Sequence, residues 1–196
     1  MIDPRLERWL DAVLATPGLT AIRDRAEAAR ALLEDALAGA PLVERFDGAV
    51  VDVGSGGGTP GIPLAVALPE RDVTLLEAQA RKAAFLRRAA ADFPNVDVVR
   101  GRAEEQQSDT FGVAVAKALA PPPVAVEWCL PLVHLGGGVV LWVGPTVDAA
   151  AVSTVASRLG GALEDAVPGF LVVRKVTPTP PGFPRRPGVA RKRPLG

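Results

Sequence analysis

Apolar residues recur at helical spacing twice near the start of the chain. The first group follows Asp3 and Pro4, which favour a helix N-terminus, and ends before Pro17; its members are Leu6, Trp9, Leu10, Val13 and Leu14. The second group follows Asp24 and Glu27, a variant of the capping box, and ends at Gly39 and Pro41; its members are Leu32, Leu33 and Leu37. The pattern predicts two short amphipathic helices ahead of the first strand.

From Ala49 onward, short β-branched runs alternate with helical patterns, which is typical of βαβ units in a parallel sheet. The predicted strands cover residues 50–53, 73–76, 96–99, 113–116, 139–143, 162–167 and 170–176, the last two as a hairpin. Helices are predicted from about Pro60, over 79–91, within 126–132 and over 148–159. We therefore expect an α/β fold with a Rossmann-like, seven-stranded, mostly parallel sheet. Residues 1–47 form a small helical cap, 48–176 the main domain, and 177–196 a proline-rich tail without regular structure.

Five glycines follow the first predicted strand, in the segment DVGSGGGTPG that begins at Asp52. They leave the backbone without Cβ atoms at the carboxyl end of that strand, where open α/β sheets hold their ligands. Gly56, Gly58 and Gly61 match the dinucleotide spacing G-x-G-x-x-G, whose helix N-terminus binds a pyrophosphate. Asp52 favours S-adenosylmethionine instead, because a carboxylate suits a sulfonium and an amino group better than a pyrophosphate. Pro60 also removes an N–H donor that a phosphate needs.

Three further residues extend this expected cofactor site. Glu77 follows the second predicted strand, about twenty residues beyond the glycines, where an acid can accept two hydrogen bonds from a ribose diol. Ala103 and Glu104 follow the third strand, on the loop that lies over the adenine in this architecture. A backbone N–H and a carboxylate there can read the adenine ring nitrogen and its exocyclic amine.

The fourth predicted strand delivers Lys117, and then ALAPPP, to the same edge of the sheet. Enzymes that methylate exocyclic amines of bases carry N/D-P-P-Y/F at this position, and the sequence contains no tyrosine. Methylation of pyrimidine C5 needs a cysteine nucleophile, but Cys129 lies in an apolar run that predicts a helix interior. With these two reactions excluded, the remaining possibility is methylation of an atom that already has a free lone pair.

Composition limits the class of protein. The chain has 196 residues, 48% of them hydrophobic, which is enough for one main domain with a substantial core. No run of eighteen apolar residues and no signal-like N-terminus is present, so we expect a cytoplasmic protein without a membrane partner. We also expect a monomer. The single Cys129 and the single His134 argue against a disulfide and against a metal site.

The formal net charge is zero, but the end of the chain is basic. After Asp165 no acid occurs, and the expected RNA-contacting residues of the tail are Arg185, Arg186, Arg191, Lys192 and Arg193. A predicted helix adds Arg81, Lys82, Arg87 and Arg88, although four basic residues on a helix usually form an ordinary solvated face. The alternative for the tail is that it folds back over the sheet and pairs with acids of the N-terminal helices.

Several of these segments resemble one known family. They are DVGSGGGTPGIPLA, TLLEAQARKAAFLRR, GRAEE, AVAKALAPP and PPGFPRRPGVARKRPL, which together cover nearly the whole chain from about Leu19. The chain resembles the small-subunit (16S) rRNA guanine-N7 methyltransferases, also called glucose-inhibited division protein B or methyltransferase G. The resemblance implies a class I S-adenosylmethionine-dependent methyltransferase fold, and small-subunit rRNA or the 30S particle as the partner.

The resemblance also implies roles for individual residues. Gly54 and Thr59 contact the cofactor, Glu77 its ribose, and Ala103 and Glu104 its adenine. The adjoining turn residues Ser55 and Gly56 belong to the same expected site. Lys117 stands where the family usually has an arginine, so it is a candidate for cofactor contact, for positioning the substrate, or for pairing with Asp52 or Glu104.

Three positions depart from the family pattern on the substrate side. Leu32, Ala36 and Val143 stand where the family usually carries histidine, serine and lysine. The leading expectation is an S-adenosylmethionine-dependent methyltransferase that acts on guanine N7 of small-subunit rRNA. The alternatives are a diverged member that binds cofactor and RNA without turnover or acts on another substrate, and a dinucleotide-dependent oxidoreductase.

Overall fold

The computed structural model describes residues 2–195. The strands are β1 (Val50–Val53), β2 (Val73–Glu77), β3 (Val96–Arg100), β4 (Phe111–Lys117), β5 (Val133–Trp142), β6 (Gly161–Val167) and β7 (Phe170–Lys175). The α-helices are α1 (Pro4–Ala15), α2 (Arg25–Ala28), α3 (Asp35–Ala38), α4 (Ala40–Val43), α5 (Gly61–Ala67), α6 (Ala80–Ala89), α7 (Pro122–Cys129), α8 (Ala149–Arg158) and α9 (Val189–Lys192). A π-helical segment, Ala29–Glu34, joins α2 to α3, and 3-10 turns cover Ala90–Asp92, Ala103–Glu105 and Leu130–Leu132.

The seven strands form one sheet in the order β3-β2-β1-β4-β5-β7-β6. Strands β1 to β5 pair in parallel, and β7 pairs antiparallel with both β5 and β6. The predicted α/β fold with a seven-stranded, mostly parallel sheet is confirmed. The chain runs outward from β1 to β3 and then returns to the other side of β1 with β4. Open α/β sheets bind ligands at this reversal, outside the carboxyl ends of the strands.

The sheet separates two layers of helices. Apolar side chains of α1, α5 and α6, among them Trp9, Ile62 and Phe85, pack with Val50 on one face. Side chains of α7 and α8, among them Val126, pack on the other face. The helices before β1 thus share a core with the sheet, and the division at residues 47 and 176 stays a prediction. Within residues 2–195, no helix has the length and apolar character needed to cross a membrane.

The predicted helix starts are confirmed at atomic detail. The Asp3 carboxylate accepts the backbone N–H of Arg5 at 2.8 Å, and the Asp24 carboxylate accepts that of Glu27 at 2.8 Å. Both side chains satisfy backbone donors that a helix leaves free at its first turn. Pro41 does not end a helix as expected, because it lies within α4, where its missing N–H is tolerated in the first turn.

Strand β5 begins earlier than the predicted residue 139. The sequence there, HLGGG, has the composition of a turn, but the register shifts between the pairs Phe111–Val133 and Val113–Gly138, so that a bulge absorbs the glycines. A Cβ on Gly138 would lie 2.2 Å from Phe46 Cζ, and one on Gly137 would lie 2.5 Å from the Gly112 carbonyl oxygen. These glycines are required by close packing inside a strand, which composition alone does not distinguish from a turn.

Candidate functional site

The glycine turn leaves β1 at the centre of the sheet. Gly54, Gly56 and Gly58 have φ values of 76°, 58° and 104°, a region that residues with a Cβ rarely adopt. The backbone N–H of Gly54 donates to the Leu76 carbonyl at 2.8 Å, and the Ser55 hydroxyl donates to the Asp52 carbonyl at 2.8 Å. Ser55 is buried, so its hydroxyl holds the turn rather than lining the cleft. The glycines thus allow a turn that strand β2 and Ser55 then fix.

Asp52 stabilises the glycine turn from the buried side. Its side chain is 1% exposed, and its Oδ2 accepts the backbone N–H of Gly61, the first residue of α5, at 3.0 Å. Its other oxygen, Oδ1, has no hydrogen-bond partner among the described residues. Burial raises the pKa of Asp52 to about 7, despite the opposing hydrogen bonds. The structure therefore places this carboxyl at the start of α5.

The N-terminal helices hold the far side of the turn. The Trp9 indole N–H donates to the Gly57 carbonyl at 2.8 Å, and the Thr59 hydroxyl donates to the Leu32 carbonyl at 2.8 Å. Leu32 belongs to the π-helical segment, a form that is rare and frequent at functional sites. Thr59 therefore ties the turn to this segment.

Lys117, at the end of β4, reaches the same π-helical segment. Its ammonium group donates to the Ala31 carbonyl and pairs with the Asp35 carboxylate. The Asp35 carbonyl in turn accepts the indole N–H of Trp142 at 2.8 Å. Lys117 pairs with a carboxylate, as one alternative predicts, but the partner is Asp35 and not Asp52 or Glu104. The π-helical segment lies closer to β4 than the chain order indicates, and Asp35, the first residue of α3, takes the ammonium group.

A cleft of about 370 Å³ opens between the carboxyl ends of the central strands. Gly54, Glu77, Ala103 and Glu104 line it, together with residues that sequence patterns did not assign to the cofactor: Leu76, Gln79, Lys82, Leu119, Trp128, Gly188 and Arg191. A larger depression of about 560 Å³ lies at the opposite end of the sheet, beside Ala49 and Asp72. The first cleft contains predicted cofactor residues and this larger depression does not, so we take the first cleft as the candidate site.

Glu77 forms a buried acidic wall of this cleft. Its side chain is 5% exposed, and its Oε2 accepts the backbone N–H of Gly56 at 3.0 Å. Its Oε1 accepts the backbone N–H of Gln79 at 2.7 Å. Because a carboxylate oxygen can accept more than one hydrogen bond, both oxygens keep capacity for a ligand hydroxyl. The two backbone contacts fix the direction in which the carboxylate points.

The outer wall comes from the C-terminal tail. The Glu104 carboxylate accepts the backbone N–H of Gly188 at 3.1 Å. The Arg191 guanidinium lies 5.4 Å from the Trp128 ring centroid and reaches the Leu119 carbonyl at 3.4 Å. Sequence patterns place the tail either against RNA or folded back over the sheet, and nothing in its spacing predicts that it lines the cleft. The expectation of no regular structure is wrong for Val189–Lys192, which forms α9 with Ala190 buried.

The predicted RNA-contacting residues fall into two groups. Arg185 forms an ion pair with Glu127 of α7, which is 3% exposed, with Nη2 and Oε2 2.6 Å apart. The tail thus folds back as one alternative predicted, but its arginine pairs with α7 and not with the N-terminal helices. The exposed group comprises Arg186, Arg191, Lys192 and Arg193. Helix α6 packs on the opposite face of the sheet, and its Lys82 reaches the cleft.

The residues of the cleft fit S-adenosylmethionine. The volume lies in the range of roughly 300–1,000 Å³ of small-molecule sites. The Trp128 indole N–H is buried without a hydrogen-bond partner among residues 2–195, and Glu77 offers an acceptor in the same cleft. In the part of the chain that is described, no group of three or more His, Cys, Asp or Glu side chains is arranged to hold a metal ion.

Solved structures share the fold of this chain. The chain is similar to the pyocyanin biosynthetic protein PhzM, with a TM-score of 0.64 and 14% identity over 85% of this chain and 62% of that one. It is also similar to a Thermus thermophilus 16S rRNA N2 G1207 methyltransferase (RsmC) in complex with AdoMet and guanosine, with a TM-score of 0.55 and 14% identity over 76% of this chain and 40% of that one. The fold is that of the class I S-adenosylmethionine-dependent methyltransferases.

Sequence comparison narrows the class to a family. The family model for rRNA small subunit methyltransferase G matches residues 5–156. Proteins named ribosomal RNA small subunit methyltransferase G from Synechococcus elongatus and Moorella thermoacetica are each 35% identical to the chain. The alignments cover 91% and 90% of this chain, respectively, and 82% of each relative. The chain belongs to the rRNA small subunit methyltransferase G family, and the predicted methyltransferase class and its cofactor, S-adenosylmethionine, are confirmed.

Proposed function

We propose that this protein methylates N7 of a guanine in small-subunit (16S) rRNA, with S-adenosylmethionine held in the cleft at the β1–β4 reversal. The observation that carries the cofactor part of this assignment is the position of Glu77. Its carboxylate is buried at the end of β2, bridges Gly56 and Gln79, and still faces the cleft. Family membership supplies the rRNA substrate class. Neither the dinucleotide alternative nor binding without turnover has a supporting observation.

Each wall of the cleft has a proposed role toward the cofactor. Gly54, with the adjoining Ser55 and Gly56, lets the backbone approach the methionine part, and Glu77 accepts hydrogen bonds from the ribose hydroxyls. Ala103 and Glu104 present a backbone N–H and a carboxylate to the adenine. Asp52 and Thr59 act indirectly, because Asp52 caps α5 and Thr59 binds the π-helical segment.

The proposed methyl transfer requires little proton transfer by the protein. The bound cofactor supplies an electrophilic methyl group on a sulfonium. Guanine N7 has an unshared electron pair and no proton, so no general base is needed. The protein's residues hold the two reactants in line and exclude water, and such positioning can supply about 7–11 kcal/mol in favourable systems. Cys129 is fully buried, and burial raises the pKa of its thiol, so it is unsuited to nucleophilic attack.

The substrate side is proposed to lie beyond the end of β4. Lys117 and Asp35 meet there next to the π-helical segment, and Leu119 follows at the rim of the cleft. The departures Leu32 and Ala36 belong to the same continuous helix, and Val143 follows β5. Of the described residues that line the cleft, none is one of these three. We therefore expect them to influence rRNA binding more than cofactor binding.

Exposed cations next to the cleft supply the proposed RNA contacts. Arg186, Lys192 and Arg193 are exposed on the tail. Lys and Arg contacts to phosphates release counterions, so the affinity for rRNA should fall steeply with salt. We propose that the protein works as a monomer in the cytoplasm, on 16S rRNA or the 30S particle.

A deletion strain tests the function directly. We expect one 7-methylguanosine in 16S rRNA to disappear when the gene is deleted and to return when the wild-type gene is restored. A Glu77→Ala variant that accumulates to the wild-type level should not restore it. An unchanged methylation map in the deletion strain would overturn the rRNA assignment. Purified protein offered naked 16S rRNA or 30S particles then identifies the form of the substrate.

A further inference from the structure

The C-terminal tail is anchored by an ion pair that is unusual for an exposed segment. Glu127 is 3% exposed within α7, and the Arg185 side chain, which is 19% exposed, contacts both of its oxygens through Nε and Nη2. A two-pronged guanidinium–carboxylate contact fixes direction as well as distance. A buried carboxylate that loses its partner is strongly unfavourable. The pair therefore fixes where the chain lies as it returns to the cleft.

Beyond this anchor the tail has two chemically different sides. Its inner side supplies Gly188 and Arg191 to the cleft and buries Ala190 at 2% exposure against the sheet's helices. The Gly188 N–H donates to the Glu104 carboxylate, and the Arg191 guanidinium stacks over the Trp128 ring. Its outer side presents the exposed cations Arg186, Lys192 and Arg193 to solvent. The described part of the chain has no ion pair within 4.0 Å for these three cations.

We propose that residues 183–193 form a strap that is part of the cofactor site and couples cofactor binding to RNA binding. The inner side completes the wall of the cleft, and the outer side contacts rRNA phosphates. RNA bound outside holds the strap against the cleft, and a ligand inside holds the strap in the position that RNA contacts. Such coupling is reciprocal, so each ligand must raise the affinity for the other by the same factor.

Hydrogen exchange on the wild-type protein tests whether the strap is part of the cofactor site, and it requires no substitution. S-adenosylhomocysteine, added without RNA, should slow exchange of the amides of residues 188–193 together with those of residues 54–58. The inference rests on the proposed cofactor site, and the two sets of amides separate the failures. Protection of 54–58 without 188–193 overturns the strap and leaves the site intact. Protection of neither set overturns the cofactor site itself.

Two neighbouring arginines provide a matched pair of variants that separates the inner side of the strap from its outer side. Arg185→Ala removes the anchor and Arg186→Ala removes an exposed cation, so both change the charge equally. We expect Arg185→Ala to weaken S-adenosylhomocysteine binding at least fivefold in calorimetry, and Arg186→Ala to leave it within twofold while weakening binding of 16S rRNA.

The coupling itself is measured on the same proteins. S-adenosylhomocysteine should strengthen rRNA binding at least threefold in the wild type and not in Arg185→Ala, provided that circular dichroism shows both folded. If Arg185→Ala does not fold, Arg191→Ala replaces it, because it removes the inner contact and leaves the anchor. Equal effects of the Arg185 and Arg186 variants on the cofactor, or rRNA binding indifferent to S-adenosylhomocysteine, would overturn the proposal.

Discussion

Asp52 and Gly61 are joined by a hydrogen bond of 3.0 Å from the backbone N–H of Gly61 to Asp52 Oδ2. Asp52, the acid of the glycine-turn motif, therefore binds the first backbone N–H of α5. A Cβ on Gly61 would lie 2.8 Å from the same oxygen and 2.3 Å from Leu75 Cδ2, so glycine is required for this approach. The relationship explains why the motif combines an acid with a glycine nine residues later.

The buried Asp52 predicts a pH dependence of stability. Its pKa is raised to about 7 from 3.8, so between about pH 4 and pH 7 the folded chain holds a proton that the unfolded chain has lost. The free energy of unfolding should therefore fall as the pH rises through this range, by on the order of 3 kcal/mol. Asp52→Asn, which cannot titrate, should remove this slope in urea unfolding at pH 5 and pH 8. Asp97→Asn, at an exposed position on β3, is the control and should retain it. A slope shared by all three proteins would contradict the prediction.

The position of Glu77 predicts that the protein recognises the ribose hydroxyls of its cofactor. Glu77→Gln removes the charge and leaves one oxygen where two now accept backbone N–H groups. We expect S-adenosylhomocysteine affinity to fall about 10- to 100-fold, which corresponds to about 1.4–2.7 kcal/mol. The wild type should discriminate against the 2′-deoxy analogue of this ligand, and Glu77→Gln should discriminate less. Glu105→Gln, at an exposed position on the neighbouring 3-10 turn, is the control. Equal discrimination by both variants would assign Glu77 a purely structural role.

Cys129 predicts the absence of a covalent step. The side chain is fully buried in α7, where it packs among apolar residues. Cys129→Ala should keep turnover within about twofold, since transfer to a ring nitrogen needs no enzyme nucleophile. Cys129→Ser should be the less stable variant, by about 1–3 kcal/mol, because it buries a hydroxyl. A folded Cys129→Ala protein without activity would require a covalent mechanism instead.

Much of the fold follows from local sequence, and the site follows only in part. Val50, Val51 and Val53 ahead of a glycine cluster identify a central strand and its ligand-binding turn, because both features are local in the chain. Glu77 lines the cleft, as its position at a strand end predicts, and its role toward the ribose stays a prediction. Trp128 and Gly188 were missed as cleft residues, because their positions depend on α7 and on the returning tail. Contacts between distant segments leave no periodic signal in the sequence.

The same limit applies to the partner of Lys117. Lys117 and Asp35 are separated by the whole of β1 to β4, and the contact exists because the π-helical segment packs beside the end of β4. The sequence identifies the strand end at which the lysine stands. It does not identify the helix that lies opposite, so sequence patterns suggest Asp52 and Glu104, at neighbouring strand ends, as partners of the lysine.

Lys117 provides a prediction that separates the two sides of the site. Its ammonium group is held by Asp35 and the Ala31 carbonyl, and Lys117 is not among the described residues that line the cleft. Lys117→Ala should therefore lower turnover with rRNA at least tenfold and leave S-adenosylhomocysteine affinity within twofold. Lys117→Arg keeps the charge and adds a planar fork, so it should retain activity.

Two further variants complete this test. Asp35→Asn should lower turnover as well, and the double variant Lys117→Ala with Asp35→Asn should lose less than the product of the two single effects, because both break the same pair. Lys82→Ala is the contrasting control, since Lys82 lines the cleft and should affect cofactor affinity. If Lys117→Ala instead loses cofactor affinity in proportion to its activity, the lysine acts on the cofactor side. The Asp35 pair would then be only a resting contact of its side chain.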